Sequence, residues 1–441
     1  MQVQKYHIIT YGCQMNLHES EKLAGMLEAR GYIATNEQSE ADIIAINTCT
    51  IRQNADNRAI GNLGYLKSVK AQKPSLIVTV FGCMSQADGA AKDLQKKFSF
   101  INIIFGTHNL FKFNDYLDRA LSGEKVLEII DGAKQKEGIA TKRTSGVNAW
   151  VNIMYGCDNF CTYCIVPYVR GREQSREAAA VLKEISGLLE RGYKEITLLG
   201  QNVNSYKGLS KDGKLVNFAS LLEQIAVLPF KFRLRFMTSH PKDLSSEVIA
   251  VIKKYDNLGE FFHLPVQSGS DKVLELMNRK YDRAHYLKLI LDIKSAMPNA
   301  GFSSDVMVGF PFETEEDFLD TLDLVEKSKF HNLFMFIYSP RDGTKAANMD
   351  GKIDKKTVDD RFKRLVALQA KISKELANES IGKTYEVLCD TYNDKDGYFR
   401  GKTNSGKIVW FKSDKDVLGE FLNVKVKSAK NSNLYGEIQK N

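Results

Sequence analysis

The N-terminal third of the chain alternates apolar runs with amphipathic stretches. Apolar runs at residues 7–12, 41–48 and 76–82 are each followed by a helix-like pattern, at residues 19–30, 57–71 and 86–97. Such runs are typical of strands buried on both faces, and strand–helix alternation predicts a parallel sheet. A further strand at 101–105 and a helix at 114–121 complete a small doubly wound α/β domain, which we place at residues 1–131.

The same alternation returns after a polar, basic and aperiodic stretch at residues 132–146, which is predicted to be a linker. Six strands are predicted, at residues 150–154, 196–199, 232–237, 261–266, 301–308 and 332–338. Amphipathic stretches separate them, among them residues 177–191, 218–227, 284–296 and 315–327. Six strand–helix units predict a partial (β/α)6 barrel over residues 147–380, which ends in a long helix at 354–380.

The last sixty residues change to short alternating patterns. Five strands are predicted, at residues 384–389, 398–403, 408–411, 422–428 and 434–438. They predict a small all-β barrel of the oligonucleotide-binding kind over residues 381–441. Basic and aromatic side chains interleave there and suit phosphate contact and base stacking, so we predict RNA contacts at Lys402, Lys407, Trp410, Lys412, Lys425 and Lys427. The alternative is a barrel whose lysines form only a solvated surface.

Composition narrows the class of protein. A chain of 441 residues with 43% hydrophobic and 26% charged residues is typical of a globular protein with two or three domains. No apolar run approaches the roughly 18 residues of a membrane span, and the N-terminus lacks a secretion segment. An odd count of seven cysteines then favours reduced thiols in the cytoplasm. A net charge of +8 favours a polyanionic partner.

Three cysteines lie close together at the start of the central part. Cys157, Cys161 and Cys164, here called the central triad, have the spacing C-x3-C-x2-C with no nearby His or fourth Cys to complete a zinc site. Three thiolates can hold three irons of a cubane iron–sulfur cluster and leave the fourth iron open for chemistry. The alternatives are a zinc knuckle or three inert thiols.

Three further cysteines occupy equivalent places in the N-terminal part. Cys13, Cys49 and Cys83, the N-terminal triad, each follow a predicted strand. Because parallel strands end at the same edge of a sheet, where open α/β sheets bind ligands, a second cluster site is predicted there. The alternative is three unrelated cysteines at buried strand ends, which are common places for free thiols.

These motifs resemble one family over nearly the whole chain. YGCQMN at 11–16, NTCTIR at 47–52, FGCM at 81–84 and GCDNFCTYCIVPYVRGR at 156–172 resemble the radical S-adenosylmethionine (SAM) methylthiotransferases, and residues 381–438 resemble a TRAM domain. The order and the six cysteines match the MiaB-type tRNA methylthiotransferases. The Gln14-Met15-Asn16 variant favours this branch over those acting on a ribosomal protein or on threonylcarbamoyl-adenosine.

The resemblance implies a fold, cofactors and partners. The central triad would ligate a SAM-binding [4Fe–4S] cluster and the N-terminal triad an auxiliary one, with no catalytic side chain beyond these ligands. The substrate would be N6-isopentenyladenosine beside the anticodon in a tRNA stem-loop, which gains a methylthio group at adenine C2. The chain would work as a cytoplasmic monomer with a sulfur donor and an electron donor such as a flavodoxin or ferredoxin.

Polar residues beyond the ends of the central strands would then hold SAM. Active sites of such barrels gather at this rim, and the predicted contacts are Gln201, Asn202, Ser239, Gln267 and Asp305. Two other classes of function remain open on the residues alone. A non-catalytic electron carrier needs neither this pocket nor the basic barrel, and an RNA-binding module leaves both triads unused. Anaerobic cleavage of SAM would distinguish an enzyme from both.

Overall fold

The computed structural model of the chain describes residues 3–50, 53–132 and 136–439. Ile51 and Arg52 of the NTCTIR motif and residues 133–135 of the predicted linker lie outside these ranges. Within them, no helix has both the length and the apolar character needed to cross a membrane. The predicted fold class is confirmed: an N-terminal parallel sheet, a central partial barrel and a C-terminal five-stranded barrel.

The N-terminal sheet has six parallel strands. They lie in the order Ile33–Ala34, Lys5–Thr10, Ile43–Thr48, Ile77–Gly82, Ile103–Phe105 and Val126–Glu128. Every residue of the strands Ile43–Thr48 and Ile77–Gly82 is buried, as continuous apolar runs predict. The two outermost strands were not predicted, because strands of two and three residues are too short to show a hydrophobic period.

Helices cover both faces of this sheet and form two separate hydrophobic cores with it. They span Gln14–Glu28, Gln53–Gln72, Cys83–Gln86, Ala90–Lys97 and Phe113–Leu121. The first helix begins earlier than the predicted residue 19, because its polar first turn is buried, including Asn16 and His18. The predicted helix at 86–97 is interrupted before residue 90, where Gly89 adopts a φ of +70°.

The central part contains two three-stranded parallel sheets. The first is formed by Asn148–Asn152, Glu195–Leu199 and Arg233–Phe236, and the second by Phe261–His263, Gly301–Val308 and Asn332–Ile337. A parallel bridge between Leu234 and Leu258 joins the two. Because the six strands surround one common core in chain order, they form the predicted partial barrel.

Helices pack outside these strands. They span Val166–Arg170, Ala178–Glu190, Phe218–Ala226, Ser246–Lys254, Asp271–Leu276, Arg283–Ala296, Glu315–Ser328 and Lys355–Asn378. Side chains fix where several begin: Thr314 and Asp317 form a capping box, and Asp354 accepts a hydrogen bond from the Thr357 amide. Two short antiparallel pairs were not predicted, Met154–Tyr155 with Gln174–Ser175 and Lys207–Leu209 with Leu215–Asn217.

The C-terminal strands close into a barrel. Their order is Thr384–Asn393, Tyr398–Thr403, Ile408–Phe411, Asn433–Ile438 and Phe421–Lys430. The core includes Cys389, which is fully buried. Closure pairs every strand on both sides, so the barrel has no free edge.

The N-terminal sheet and the small barrel contact opposite ends of the central strands. Met15 forms one cluster with Tyr155 and Leu199, where a central strand ends, and Cys13 packs against this cluster. The barrel lies where strands begin: Arg233 and Arg235 donate hydrogen bonds to backbone carbonyls of residues 402–404. The central strands therefore separate the cysteine edge of the molecule from its C-terminal barrel.

Candidate active site

The thiols of the N-terminal triad lie at one edge of the N-terminal sheet. Cys13, Cys49 and Cys83 closely follow the last residues of three neighbouring parallel strands. Gly12, with a φ of +113°, approaches Cys49 so closely that a Cβ atom at residue 12 would clash with the Cys49 side chain. The close approach of two strand ends therefore requires glycine at this position.

A buried cation lies beside this triad. Burial raises the pKa of the Cys83 thiol to about 12, whereas the nearby Arg170 guanidinium lowers it and Cys13 and Cys49 raise it. The Cys13 thiol donates to Asn16 Oδ1 at 3.6 Å and Arg170 donates to the same oxygen at 2.9 Å, so the guanidinium lies beside this triad. Thiols of raised pKa lose their protons when a metal binds to them.

Arg170 and Asn16 form the junction that holds this site together. The Arg170 guanidinium is buried and donates hydrogen bonds to Glu19 Oε1 at 2.6 Å and to Asn16 Oδ1 at 2.9 Å. The Asn16 amide in turn donates to the carbonyl oxygens of Tyr11 at 2.8 Å and Thr48 at 2.9 Å. Asn16, the last residue of the Gln14-Met15-Asn16 variant, therefore connects the strand ends that carry the first two cysteines.

The central triad lies on a loop between the short strand Met154–Tyr155 and the helix Val166–Arg170. Gly156 has a φ of +72°, and a Cβ atom there would clash with the Arg172 carbonyl. Cys161 is buried, whereas Cys157 and Cys164 are partly exposed. Burial and then the neighbouring Cys161 raise the pKa of the Cys164 thiol to about 12.

Residues 277–279, which directly follow the helix Asp271–Leu276, hold this loop in place through hydrogen bonds. The Thr162 amide donates to the Met277 carbonyl at 3.0 Å, and the Asn278 side chain donates to the Phe160 carbonyl at 3.0 Å. Arg279 Nη1 lies 3.4 Å from the sulfur of Cys161, to which it donates a hydrogen bond. These residues could not be identified from the sequence, because nothing in their local pattern distinguishes them from a polar turn after a short helix.

The two triads share a wall. Cys83 packs against Ile165 and Val169, which belong to the turn and helix that follow Cys164. The Thr107 hydroxyl donates a hydrogen bond to the Val169 carbonyl at 2.6 Å and fixes this helix against the N-terminal sheet. The fold thus brings together six cysteines from distant parts of the chain.

Backbone strain is concentrated around the central triad. Within the described residues, seven non-glycine residues have a positive φ, and four of them lie at this rim: Phe160, Thr238, Gln267 and Asn278. Thr238 is the most unusual, since β-branched residues rarely adopt a φ of +70°. Strained backbone of this kind clusters at functional sites.

Two of the five predicted SAM contacts are engaged inside the protein. The Asn202 side chain donates to Asp243 at 2.7 Å and accepts a hydrogen bond from the His240 amide at 3.0 Å. Ser239 is buried and donates to Asn204 at 3.4 Å. The hydrogen bonds of both side chains therefore hold the rim loops in place.

The other three predicted contacts have different surroundings. Gln201 contacts the sulfur of Met15 in the N-terminal part. Asp305 is partly exposed and lies 3.7 Å from His263 Nε2, and Gln267 forms a bridge to the strand that contains Asp305. Gln201 and Asp305 are partly exposed, whereas Gln267 is buried.

The predicted RNA contacts of the C-terminal barrel divide into two groups. The Lys402 ammonium lies 3.1 Å from Asp390 and 3.7 Å from Glu195, and Lys407 donates to Ser380 at 2.8 Å. These two side chains face the central part.

The remaining predicted contacts lie at the surface. Lys412, Lys425 and Lys427, here called the exposed lysines, are all solvent-exposed, and the pair that Lys427 forms with Glu437 at 3.0 Å lies at the surface as well. Trp410 is half-buried, and Lys412 lies over the Tyr398 ring at 5.0 Å from its centroid. This surface offers cations and aromatic faces together, the combination that binds phosphates and bases.

The donor sets fit an iron–sulfur cluster. Each triad consists of three thiols beside a buried guanidinium, which offsets the negative charge of bound thiolates. Within the described ranges, no three His, Cys, Asp or Glu side chains converge to hold a single metal ion. A cubane cluster differs from such a site because each thiolate binds a different iron.

Comparison with protein families agrees with the three parts of the fold. The model of the uncharacterized protein family UPF0004 matches residues 5–106, that of the radical SAM superfamily matches residues 151–325, and that of the TRAM domain matches residues 379–438. Among solved structures, the radical SAM methyltransferase TsrM from Kitasatospora setae has a TM-score of 0.58 and covers 78% of this chain and 77% of its own. At 12% identity this likeness concerns the fold alone.

Curated relatives extend over the full length. The tRNA-2-methylthio-N(6)-dimethylallyladenosine synthase of Clostridium perfringens is 50% identical over 435 residues, which are 98% of this chain and 97% of that protein. The protein of the same name from Thermoanaerobacter pseudethanolicus is 48% identical over 437 residues, 98% of this chain and 92% of that protein. The resemblance seen in the sequence is confirmed, and the chain belongs to the radical SAM methylthiotransferase family of the tRNA-2-methylthio-N(6)-dimethylallyladenosine synthases.

Proposed function

We propose that this enzyme converts N6-isopentenyladenosine beside the anticodon of tRNA to its 2-methylthio derivative, by inserting sulfur at adenine C2 and methylating it. The observation that carries the proposal is the shared wall between the two triads, where Cys83 packs against Ile165 and Val169. A reaction that needs a radical and a sulfur atom at one carbon requires both sites to reach the same base. The names of the relatives support the same substrate.

The radical SAM domain implies one [4Fe–4S] cluster and SAM. We assign the central triad to this cluster and the N-terminal triad to a second [4Fe–4S] cluster. When bound, these cofactors supply the radical and sulfur chemistry that can replace the unactivated adenine C2–H, which acid–base side chains cannot do. No side chain beyond the six cysteines is assigned a catalytic role.

The residues around the triads hold and shield the reacting groups. Arg170 and Asn16 fix the strand ends of the N-terminal triad, and Asn278 fixes the loop of the central triad. The N-terminal part contacts the rim, where Met15 and Cys13 pack in one cluster with Leu199. A covered rim excludes water from the base and keeps the two cofactor sites in register with it.

For SAM, the contacts proposed are Gln201, Asn202, Ser239, Gln267 and Asp305. Gln201 and Asp305, which are partly exposed, are assigned direct contact, and so is Gln267, which lies after a central strand. We assign Asn202 and Ser239 the role of holding the rim loops in place, because their polar atoms already form hydrogen bonds within the protein.

For tRNA, the proposed surface is Trp410 and the exposed lysines. Lys402 and Lys407 were predicted in the same role, but their ammonium groups bind Asp390, Glu195 and Ser380. We assign these two lysines to holding the barrel against the central part. A sulfur donor, an electron donor such as a flavodoxin or ferredoxin, and a monomeric state complete the proposal.

The test offers the enzyme tRNA in three states. The anaerobically reconstituted enzyme, with reductant, sulfide and SAM, is incubated with unmodified, isopentenylated or threonylcarbamoylated tRNA, and the nucleosides are analysed by mass spectrometry. Burial of the apolar isopentenyl group is worth roughly 1–3 kcal/mol, so unmodified adenosine should react about ten- to a hundredfold less. A threonylcarbamoyl carboxylate would lie unpaired in an apolar pocket and be rejected.

Methylthio product mainly from the isopentenylated tRNA supports the proposal. Product mainly from the threonylcarbamoylated tRNA, or only on a ribosomal-protein aspartate offered in parallel, would overturn the substrate assignment. Deoxyadenosine formed from SAM in every reaction, whichever substrate is present, would show that the failure concerns the substrate and not the cofactor site.

A further inference from the structure

Arg279 is a buried cation that has no carboxylate partner within the described ranges. Only 8% of the Arg279 residue is exposed to solvent. Nη2 donates to the Pro265 carbonyl at 2.7 Å and Nε donates to the Tyr281 hydroxyl at 2.9 Å. Nη1 lies 3.4 Å from both the Tyr163 hydroxyl and the sulfur of Cys161. Among the residues that the structure describes, no Asp or Glu forms an ion pair with it.

This arrangement sets Arg279 apart from the other buried arginines. Arg170 pairs with Glu19 at 2.6 Å, Arg233 with Glu386 at 3.2 Å, and Arg361 with Glu313 at 3.0 Å. A buried charge is costly unless an opposite charge or a full set of hydrogen bonds compensates it. The ionisable groups that Arg279 contacts are the Cys161 thiol and the hydroxyls of Tyr163 and Tyr281, and of these the thiol is the one that becomes an anion when a metal binds.

Three consecutive residues direct this cation toward the triad. Met277 and Asn278 bind the backbone of the cysteine loop, so Arg279 is held at a fixed position against Cys161. The Tyr281 ring flanks the guanidinium, with the Arg279 carbon Cζ 5.1 Å from the ring centroid, and the Tyr163 hydroxyl lies 3.4 Å from Nη1. A charge in such a dry, fixed position acts strongly on a neighbouring group, because water does not screen it.

We propose that Arg279 is the built-in counter-charge of the central triad and raises the reduction potential of the cluster bound there. The inference rests on the proposed function, which places a cluster at these cysteines. Hydrogen bonds to the ligating sulfurs and the net charge around a cluster both set its potential. Removal of the guanidinium therefore makes the one-electron reduction less favourable, and a lysine, which keeps the charge, restores most of the effect.

A different role for Arg279 makes a different prediction. If its guanidinium instead bound the carboxylate of SAM, its loss would weaken SAM binding and leave the potential of the SAM-free cluster unchanged. The measurement that separates the two roles is therefore made without SAM.

The test compares Arg279→Gln, Arg279→Lys and Arg172→Gln in the full-length reconstituted enzyme. Arg172 belongs to the same loop and pairs with Asp158, but its side chain is 71% exposed, so solvent screens its charge. Midpoint potentials are measured by titration followed by electron paramagnetic resonance. The signal of the central triad is identified as the one that SAM addition alters in a parallel sample.

In the absence of SAM, Arg279→Gln should reduce the equilibrium constant for one-electron reduction at least tenfold, which is about 59 mV toward more negative potential. Arg279→Lys should lie close to the parent, and Arg172→Gln should coincide with it. A potential unchanged in Arg279→Gln, or an equal shift in Arg172→Gln, would overturn the proposal.

Loss of the cluster is also informative. If Arg279→Gln is folded by circular dichroism but lacks iron at this site, Arg279→Lys decides: iron retained at a near-parental potential supports the charge, and iron lost as well refutes it. A parent enzyme that binds no SAM-sensitive cluster would instead refute the proposed function on which the inference rests.

Discussion

Replacement of Glu195 by Gln tests how the C-terminal barrel is attached to the central part. Glu195 is buried; its Oε2 accepts a hydrogen bond from Arg235 at 2.6 Å, and its Oε1 lies 3.7 Å from the Lys402 ammonium. Gln keeps the shape of the side chain and removes its charge. Arg235 would then lose its carboxylate partner, while Lys402 would keep Asp390 at 3.1 Å and Arg233 would keep Glu386 at 3.2 Å.

The expected loss of stability follows from the pKa of this carboxyl group. Burial acts to raise the pKa, but Arg235 and then Lys402 outweigh it and lower the pKa from 4.5 to about 2. This difference corresponds to about 3 kcal/mol of folding free energy. Removal of one partner from a buried ion pair typically costs about 3–5 kcal/mol, which agrees. Because the pKa is lower in the folded protein, this stability is present above pH 4.5 and is lost as the pH falls toward 2.

The two tryptophans allow each part to be followed separately. Trp150 lies in a central strand and Trp410 in the C-terminal barrel. Urea unfolding is measured by fluorescence at pH 7 in Trp150→Phe and Trp410→Phe backgrounds. Glu195→Gln should lower the urea midpoint most strongly where Trp410 reports, because the barrel loses its anchor.

Glu386→Gln is the matched control. Glu386 pairs with Arg233 in the same interface at 3.2 Å, but its side chain is 52% exposed, so its loss should cost less than about 1 kcal/mol. Equally small effects of the two substitutions would refute the reasoning. So would a difference between Glu195→Gln and its parent that persists unchanged at pH 3.

Three further outcomes are expected. Gly156→Ala should lose iron from the central triad, because it adds a clash with the Arg172 carbonyl at a φ of +72°. Gly192→Ala is the control and should keep its iron, because residue 192 has a φ of +94° but open space around it. Equal iron contents in the two variants would contradict this. Replacement of the whole central triad by Ala should remove about half of the bound iron and sulfide, and complete loss would mean that there is one cluster site, not two. Replacement of the exposed lysines by Ala should make the plot of log binding constant against log salt concentration less steep, by roughly 0.7–0.9 for each phosphate that is no longer neutralised. Lys288→Ala, on a central helix, is the control. An unchanged slope would place the tRNA on another surface.

Periodicity and cysteine spacing were sufficient to predict the fold class. The continuous apolar runs became buried parallel strands, because burial on both faces leaves a signal that extends over several residues. Short elements such as Val126–Glu128 and Asp271–Leu276 leave no such signal. The division into residues 1–131, 132–146, 147–380 and 381–441 stays a prediction, since the segment at 137–144 packs against both neighbours through Arg143 and Thr144.

The cysteines could be found from the sequence, but the groups that compensate their charge could not. Arg279 reaches Cys161 across 118 residues of sequence, and Arg170 reaches Glu19 across 151. Local patterns carry no information on contacts of this range, because only the folded topology brings the partners together. A lone buried arginine therefore becomes recognisable only when its surroundings are known.

Because the barrel is attached at the starting ends of the central strands, the exposed lysines and the cysteine rim are held a fixed distance apart. The strand Gly301–Val308 is about 26 Å long, and a tilt of about 40° reduces its length along the barrel axis to roughly 20 Å, so a ligand that touches both the exposed lysines and the cysteine rim must span a distance of that order. A free nucleoside or a short single strand can occupy one end only. A rigid, folded RNA of the right dimensions gains from both ends at once, through the effective concentration that the first contact gives the second. RNAs long enough to contact both ends would then be selected before any base is recognised.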